Sequence, residues 1–531
     1  MSIQPVLRAA DRLRREKRFL LLYVCAGCIV YFLLISKGLF NHYDGLWHPA
    51  RYYAGDWEVS IGRWVWPLID KLRFGLVSAS MNTLISLLLT GIGHIFLFDL
   101  FEVRNDAGKL MISLLWIGST VMSVALSYVY MSTTFAAAFL FAAAAAYWLI
   151  RRDTAAGLSV SACFFALSMA CYQGYIGVTC LILCAYLIFL CSRTEKIAGI
   201  AKYCLRTVGM IMLGGALYFA GTKLSVRIRH ISLDQYGGAA SITPGAILRN
   251  IPAGVKLCYV EFYKFFGTST RHNNYFKENH AALLLFAALM AVMAVCLLRV
   301  AKKSIPHVLL MLAGAVLLPL AANFVLLIAI ESTYIQIQAS SGMAMMPGVL
   351  ACMTYAAAKG LLPQRAASGK KSPLFSGGFI LATLLTALLA WAEICSVTND
   401  QLAMEEGMTS TSTIANMIAE DLKEEGLITS DKKLCVIGVP AKNDLFYKYQ
   451  AWNEANRYAR FGMWSTAPNC DFYSWRSTYR YLCGLSLNFC SSGEYNELKA
   501  SKEVKKMPVY PEDGSIREVG DFIVVKVSDK Y

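Results

Sequence analysis

Apolar residues in this chain come in long blocks, not at alternating positions. Blocks can be read near residues 19–40, 76–101, 110–130, 134–150, 155–175, 176–192, 205–222, 281–298, 307–330, 343–360 and 375–393. Each approaches the roughly 17–25 residues a helix needs to cross the hydrocarbon core of a bilayer. The pattern predicts a polytopic α-helical membrane protein of about eleven transmembrane helices. It leaves two long polar stretches between spans, 41–75 and 223–280, and a polar C-terminal part. The chain divides on this reading into a membrane body, 1–393, and a soluble unit, 394–531.

Within the soluble unit the periodicity changes. Ile414, Met417, Ile418 and Leu422 recur at helical spacing, and Gly426 suits a helix C-cap. "KKLCVIGVP" reads as a buried strand, the stretch Asp444 to Leu485 as helical, and "MPVYPEDGSIREVGDFIVVKVS" as two strands joined by Asp-Gly turn chemistry. A small α/β domain is expected.

Composition agrees with the block pattern, with 56% hydrophobic and only 16% charged residues and a mean hydropathy of +0.47. Basic residues then orient the spans, because short loops rich in Lys and Arg stay in the cytoplasm. Arg8, Arg12, Arg14, Arg15, Lys17 and Arg18 precede the first span, and every second loop repeats the signal, as at Arg151 and Arg152 or Lys370 and Lys371. The N-terminus is thus expected inside, with loops 41–75 and 223–280 and the C-terminal unit outside. The first block carries no small-residue cleavage site and reads as a retained anchor. The net charge of +15 is largely absorbed by these cytoplasmic edges, so no nucleic-acid partner is expected. Most of the 16 cysteines fall in or beside apolar blocks and act as small hydrophobes. Cys435, Cys470, Cys483 and Cys490 lie in the soluble unit, where an oxidising compartment would allow one or two disulfides of undecided pairing.

Candidate chemistry concentrates in the two outer loops. The run "NHYDGLWHPARYYAGDWEVSIGRW" supplies the carboxylates Asp44, Asp56 and Glu58, the guanidinium forks Arg51 and Arg63, and the flat faces of Trp47 and Trp64. These are the parts a sugar-phosphate site needs. The following "VWPLIDKLRF" reads as a helix lying in the interface, with Trp66, Ile69 and Leu72 on one side and Asp70, Lys71 and Arg73 on the other. The second loop breaks the positive-inside trend with Arg227, Arg229, Arg249 and Lys256 among its cations. An anionic ligand would compensate them. In that loop Thr243-Pro244 is a fair helix start. "DWE" at 56–58 imitates the carboxylate pairs that hold a divalent ion, but the motif is short. Metal ligation, acceptor binding and an ordinary solvated loop all stay open for it, and the overall expectation is no metal and no cofactor. His42 and His48 flank Asp44, while Tyr172, Gln173 and Tyr175, with Glu331, Tyr334, Gln336 and Gln338, are polar enough to line a cavity or cap helix ends.

A short basic tail, one span, then an aspartate loop ending in Gly-Arg-aromatic ("YDGLWHPARYYAGDWEVSIGRW") resembles the Gtr-type glucosyltransferases that decorate bacterial surface polysaccharides, and more broadly the GT-C superfamily. The resemblance implies a GT-C-like membrane body that takes a sugar, often glucose, from a polyprenyl-phosphate donor. It implies transfer outside the bacterial cytoplasmic membrane to a polysaccharide acceptor. In such enzymes an acidic residue of the first outer loop is typically the base, and Asp44 matches that position. The chemistry asks for the same parts: a carboxylate takes the acceptor hydroxyl's proton, and cations hold the departing phosphate. A single base opposite the leaving group gives inversion. A flippase for a lipid-linked saccharide and a polysaccharide polymerase or ligase would share these loops. Both remain alternatives.

Overall fold

The computed structural model describes residues 16–40, 45, 50–234, 244–267, 287–291, 294, 304–328, 339–356, 373–428, 431–438, 443, 445, 451, 454–455 and 472–529. Helices dominate. In chain order they are α1 (Lys17–Val30), α2 (Phe32–Lys37), α3 (Asp56–Ser60), α4 (Trp66–Leu72), α5 (Ala79–Leu100), α6 (Asp106–Ile117), α7 (Thr120–Ser127), α8 (Ser132–Arg151) and α9 (Ala155–Cys171). Then follow α10 (Ile176–Ser192), α11 (Ile197–Arg229), α12 (Pro244–Gly267), α13 (Ile305–Ala322), α14 (Ser341–Ala356) and α15 (Pro373–Glu424). After them come α16 (Phe472–Tyr481), α17 (Ser492–Ala500) and α18 (Lys502–Lys506).

Among the described residues six helices are long and apolar enough to cross a membrane, or seven if the pair α6 and α7, bent by 64°, is one span. This is the architecture of a polytopic helical membrane protein. This covers only part of the expected eleven, since apolar blocks do not guarantee unbroken helices and not every block is among the described residues. The first block is split at Tyr31, α9 stops after 17 residues, α14 has 16, and most of block 281–298 lies outside the described residues.

Helix α8 is the hub of the bundle. Its run of alanines is buried, and neighbouring helices come close enough for hydroxyls to reach its backbone. Ser161 and Ser168 of α9 donate to the carbonyls of Ala145 at 2.6 Å and Ala138 at 2.9 Å, and Thr179 of α10 donates to Ala142 at 2.9 Å. Small residues permit that approach where no hydrophobic force separates helix from lipid.

The break at Tyr31 is bridged from the far end of the chain. Gln401 of α15 accepts from Leu34 N at 3.0 Å and donates to Val30 O at 2.9 Å, standing in for the helical bond that the break removes. The Tyr31 hydroxyl donates to Ile117 O at 2.6 Å, at the second break, between α6 and α7. There Gly118 lets α15 close in, since a Cβ would meet Ile394 N at 3.1 Å. Two broken helices and α15 thus brace one another.

Helix α15 runs through residue 394 without interruption, so the expected boundary falls within one rod. Its end meets a three-stranded sheet of order β1-β3-β2, with β1 (Lys433–Ile437) parallel to β3 (Phe522–Lys526) and β2 (Ile516–Val519) antiparallel to it. Ile414, Ile418 and Leu422 pack with Leu434, Val436, Trp475, Ile523 and Val525. Gly426 takes φ +70° as the expected cap, with Leu427 N bonded to Leu422 O at 2.8 Å. The final hairpin is displaced from expectation. Asp513-Gly514 precedes both strands, and the two-residue turn is Gly520-Asp521, with Gly520 at φ +57°. Of the stretch expected to be helical, Phe472–Tyr481 is α16, and much of 444–471 lies outside the described residues.

Candidate active site

The loop 50–77 is closed at its base by backbone. Arg51 bridges Leu76, Tyr52 N donates to Gly75 O at 2.9 Å, and Val77 N to Ala50 O at 3.2 Å. Gly75 sits at φ +65° with the Tyr53 ring 2.6 Å from where a Cβ would stand, so a side chain there would be strained and would push the ring aside. Beneath the loop Asp70 is fully buried. It accepts from Ala54 N at 2.8 Å and from Arg73 Nε at 2.9 Å, with a second Arg73 nitrogen 2.7 Å away. Arg73 also donates to Leu76 O at 2.6 Å and to Tyr130 O. Burial pushes the Asp70 carboxyl up to about 6, against the pull of Arg73. The expected two-sided helix is therefore rearranged: Asp70 and Arg73 turn inward beside Trp66, while Leu68 and Leu72 are exposed. A paired carboxylate can be buried where isolated charges cannot.

Helix α3 carries two of the candidate carboxylates, with different surroundings. Glu58 is buried, and both oxygens are engaged, one accepting from Gly55 N at 2.6 Å and the other from the Tyr52 hydroxyl. The Tyr52 hydroxyl is pushed up by burial and by that carboxylate. Asp56 is exposed and pairs with Arg229 Nη1 at 2.7 Å, tying α3 to the end of α11. Asp234 N donates to Ser60 O at 3.1 Å alongside.

Arg63 follows a turn at Gly62, φ +85°, where a Cβ would stand 2.1 Å from the Tyr218 hydroxyl. Its guanidinium lies 4.6 Å from the Tyr172 ring centre and 5.8 Å from that of Trp66. Its Nε donates to Gln173 Oε1 at 3.5 Å. Gln173 is itself fixed, donating through Nε2 to Ile61 O at 2.8 Å and to the Tyr218 hydroxyl at 3.0 Å. Among the described residues no carboxylate pairs with Arg63. A cation is held in an aromatic frame with donors to spare. Behind it Trp66 stacks on Tyr130 at 6.2 Å, and Tyr52 meets the same ring edge-on at 4.9 Å.

The fold thus gathers Asp56, Glu58, Arg63 and Arg229, with Trp64 packed close to Gly221 of α11. Arg51 and Arg227 are exposed at the margins. The expected loop 223–280 is partly helical: α11 continues to Arg229, and α12 begins at Pro244, as its Thr-Pro start suggests. Arg249 and Lys256 are exposed on α12, and among the described residues no hydrogen bond or ion pair joins them to the Arg63 cluster. Asp44 and Trp47 lie outside the described residues, as do His42, His48, Glu331, Tyr334, Gln336, Gln338 and Cys470. Among the described residues no group of three or more His, Cys, Asp and Glu gathers as metal ligands would. Sequence reasoning missed Tyr52, which lies among the loop's charged residues, and Tyr130 and Tyr218, whose only signal is a polar hydroxyl in an otherwise apolar setting.

Comparison with known proteins places the chain in a family. Searches of curated proteins and of solved structures gave no match. The family model described as glucosyl transferase GtrII matches residues 38–355, from the end of α2 to the end of α14. That span covers more than half of the chain and contains the whole loop that carries Arg63. The chain therefore belongs to the glucosyl transferase GtrII family and is a glycosyltransferase of the membrane.

Proposed function

We propose that the protein moves glucose from a polyprenyl-phosphate donor to a hydroxyl of a bacterial cell-surface polysaccharide. The reaction takes place on the outer side of the cytoplasmic membrane, with the N-terminus cytoplasmic and the C-terminal unit, 394–531, extracytoplasmic. The carrying observation is Arg63, a guanidinium framed by Tyr172, Trp66 and Gln173 and paired with no described carboxylate. Such a group binds a phosphate through charge-assisted hydrogen bonds. It stabilises the charge that grows on the leaving oxygen as the glycosidic bond breaks.

Asp44 is the base in this reading, taking the acceptor proton as the hydroxyl attacks the anomeric carbon from the face opposite the phosphate. That geometry inverts the anomeric centre. Phosphate is a good leaving group, so the mechanism uses no second acid and no metal. Asp56 and Glu58 are the rival carboxylates, but Glu58 has both oxygens engaged in holding its loop, and Asp56 is tied to Arg229. Arg51, Arg227, Arg249 and Lys256 would meet donor or lipid phosphate from the periphery. The aromatic residues of the C-terminal unit would meet the acceptor glycan.

The test incubates purified protein with polyprenyl-phosphate glucose and surface glycan, comparing wild type with Asp44→Asn, with and without a chelator. Transfer by wild type, unaffected by the chelator and lost in Asp44→Asn, is the expected result. Full activity in Asp44→Asn would remove Asp44 from the mechanism. No transfer by wild type would favour transport of the lipid-linked sugar.

A further inference from the structure

Two cysteines meet at the β1 edge of the C-terminal sheet. Beyond β1, on the side away from β3, the chain returns at residues 488–490. Leu434 N donates to Asn488 O at 2.7 Å, and Cys490 N donates to Leu434 O at 3.1 Å. These two bonds make Leu434 and Phe489 a parallel bridge pair. One step along that register, Cys435 stands opposite Cys490. Side chains alternate along a strand, so register partners emerge on the same face.

The packing agrees with this placement. Leu434 and Phe489 belong to the face that meets α15, whereas Cys435 and Cys490 are both buried in the opposite face with Tyr495, Leu498, Val504 and Met507. Neighbouring strands lie about 4.8 Å apart, inside the roughly 4.4–6.8 Å between Cα atoms that a disulfide spans. The two thiols share a hydrogen bond, and that bond from Cys435 draws the Cys490 thiol below its ordinary range. Cys483, by contrast, is only half-buried, and burial pushes its thiol up.

We infer that Cys435 and Cys490 form a disulfide in the mature protein, closing the 54 residues between them into a covalent loop. The inference rests on the proposed extracytoplasmic placement of this unit, since disulfides persist in oxidising compartments. The closed segment carries Trp452, Trp464, Trp475 and Tyr479, so the cross-link ties the aromatic-rich part of the unit to the sheet at both ends. Joining the sulfurs releases two electrons and two protons. A protein thiol–disulfide oxidant of that compartment accepts both as its own disulfide becomes a dithiol. The Cys490 thiolate attacks that disulfide to give a mixed disulfide, and Cys435 then displaces the oxidant. Because both thiols are buried in the finished fold, the exchange precedes closure of this core.

The test isolates the full chain from cells with thiols trapped by alkylation under denaturing conditions, then maps peptides by mass spectrometry before and after reduction. Expected is one cross-linked pair, Cys435 with Cys490, with both cysteines becoming alkylatable only after reduction. Cys435→Ser should expose Cys490 to alkylation without reduction. In parallel, the exposed Asn496→Cys variant is treated in intact cells, permeable only at the outer membrane, with a membrane-impermeant maleimide. Labelling at 496 with free Cys435 and Cys490 overturns the disulfide alone. Absence of labelling at 496 overturns the placement on which it rests, and a cross-link to Cys470 or Cys483 overturns the pairing.

Discussion

Replacing Arg73 by methionine removes the cation that compensates a fully buried carboxylate. Arg73 gives Asp70 two nitrogens, at 2.9 and 2.7 Å, and spends its others on the carbonyls of Leu76 and Tyr130. Breaking one side of a buried ion pair costs about 3–5 kcal/mol. Leu76 O keeps Asn82 Nδ2 as a donor at 3.2 Å, so the loss falls on the ion pair. A loss of about 3–5 kcal/mol at pH 8 follows from the broken ion pair.

The pH dependence separates this cause from simple loss of packing. Asp70 is raised from 3.8 to about 6 in the fold, so the folded state holds more protons than the unfolded state across that window. Stability contributed by the protonated form is then lost as pH rises through the folded value, on the order of 3 kcal/mol for wild type. Without Arg73 the carboxyl rises further, and the variant should recover part of its deficit at pH 5. The assay is denaturant unfolding of the full chain in detergent at pH 5 and pH 8, with Asp70→Asn and the double variant closing the cycle. Arg73→Met within about 0.5 kcal/mol of wild type at pH 8, or an equal deficit at both pH values, would refute the reasoning.

Arg63→Ala should lower kcat/KM for the lipid-phosphate donor about 10–100-fold, the kinetic equivalent of one or two charge-assisted hydrogen bonds, with partial recovery in Arg63→Lys; unchanged kinetics would remove Arg63 from phosphate binding. Gln401→Leu leaves Leu34 N and Val30 O unbridged in an apolar setting and should cost about 1–3 kcal/mol in the same unfolding assay. A variant as stable as wild type would show that water or relaxation satisfies the break. Asp56→Asn breaks an exposed pair with Arg229 and should change stability by at most about 1 kcal/mol. Transfer activity should survive, and its loss would move the base from Asp44 to Asp56.

Parts of this site are legible in the amino-acid sequence alone. Arg63 with its aromatic neighbours, Tyr172 and Gln173 at the end of a span, and the helix start at Pro244 all follow from local pattern. The duties of Glu58 and Asp70 do not. "DWE" looks the same whether Glu58 takes part in chemistry or holds Gly55 N and the Tyr52 hydroxyl, because the deciding partner lies in the folded loop. Asp70 reads as part of a polar helix face, since the fact that buries it is Arg73 closing around it. The breaks within the spans are hidden for a related reason: hydropathy reports solubility in lipid, and the breaks at Tyr31 and Gly118 leave hydropathy unchanged.

The sequence by itself determined that the chain lives in a bilayer and where its ionisable loops fall, because the transfer cost of each residue is a local property that sums along the chain. Tertiary structure decided which of those ionisable groups are engaged. Glu58, Asp70, Arg73, Asp56 and Arg229 are occupied with one another or with backbone, and Arg63 is held with donors to spare. Pairing of buried charges, like the register that sets Cys435 opposite Cys490, depends on contacts between residues far apart in sequence, and only the packed chain makes those contacts.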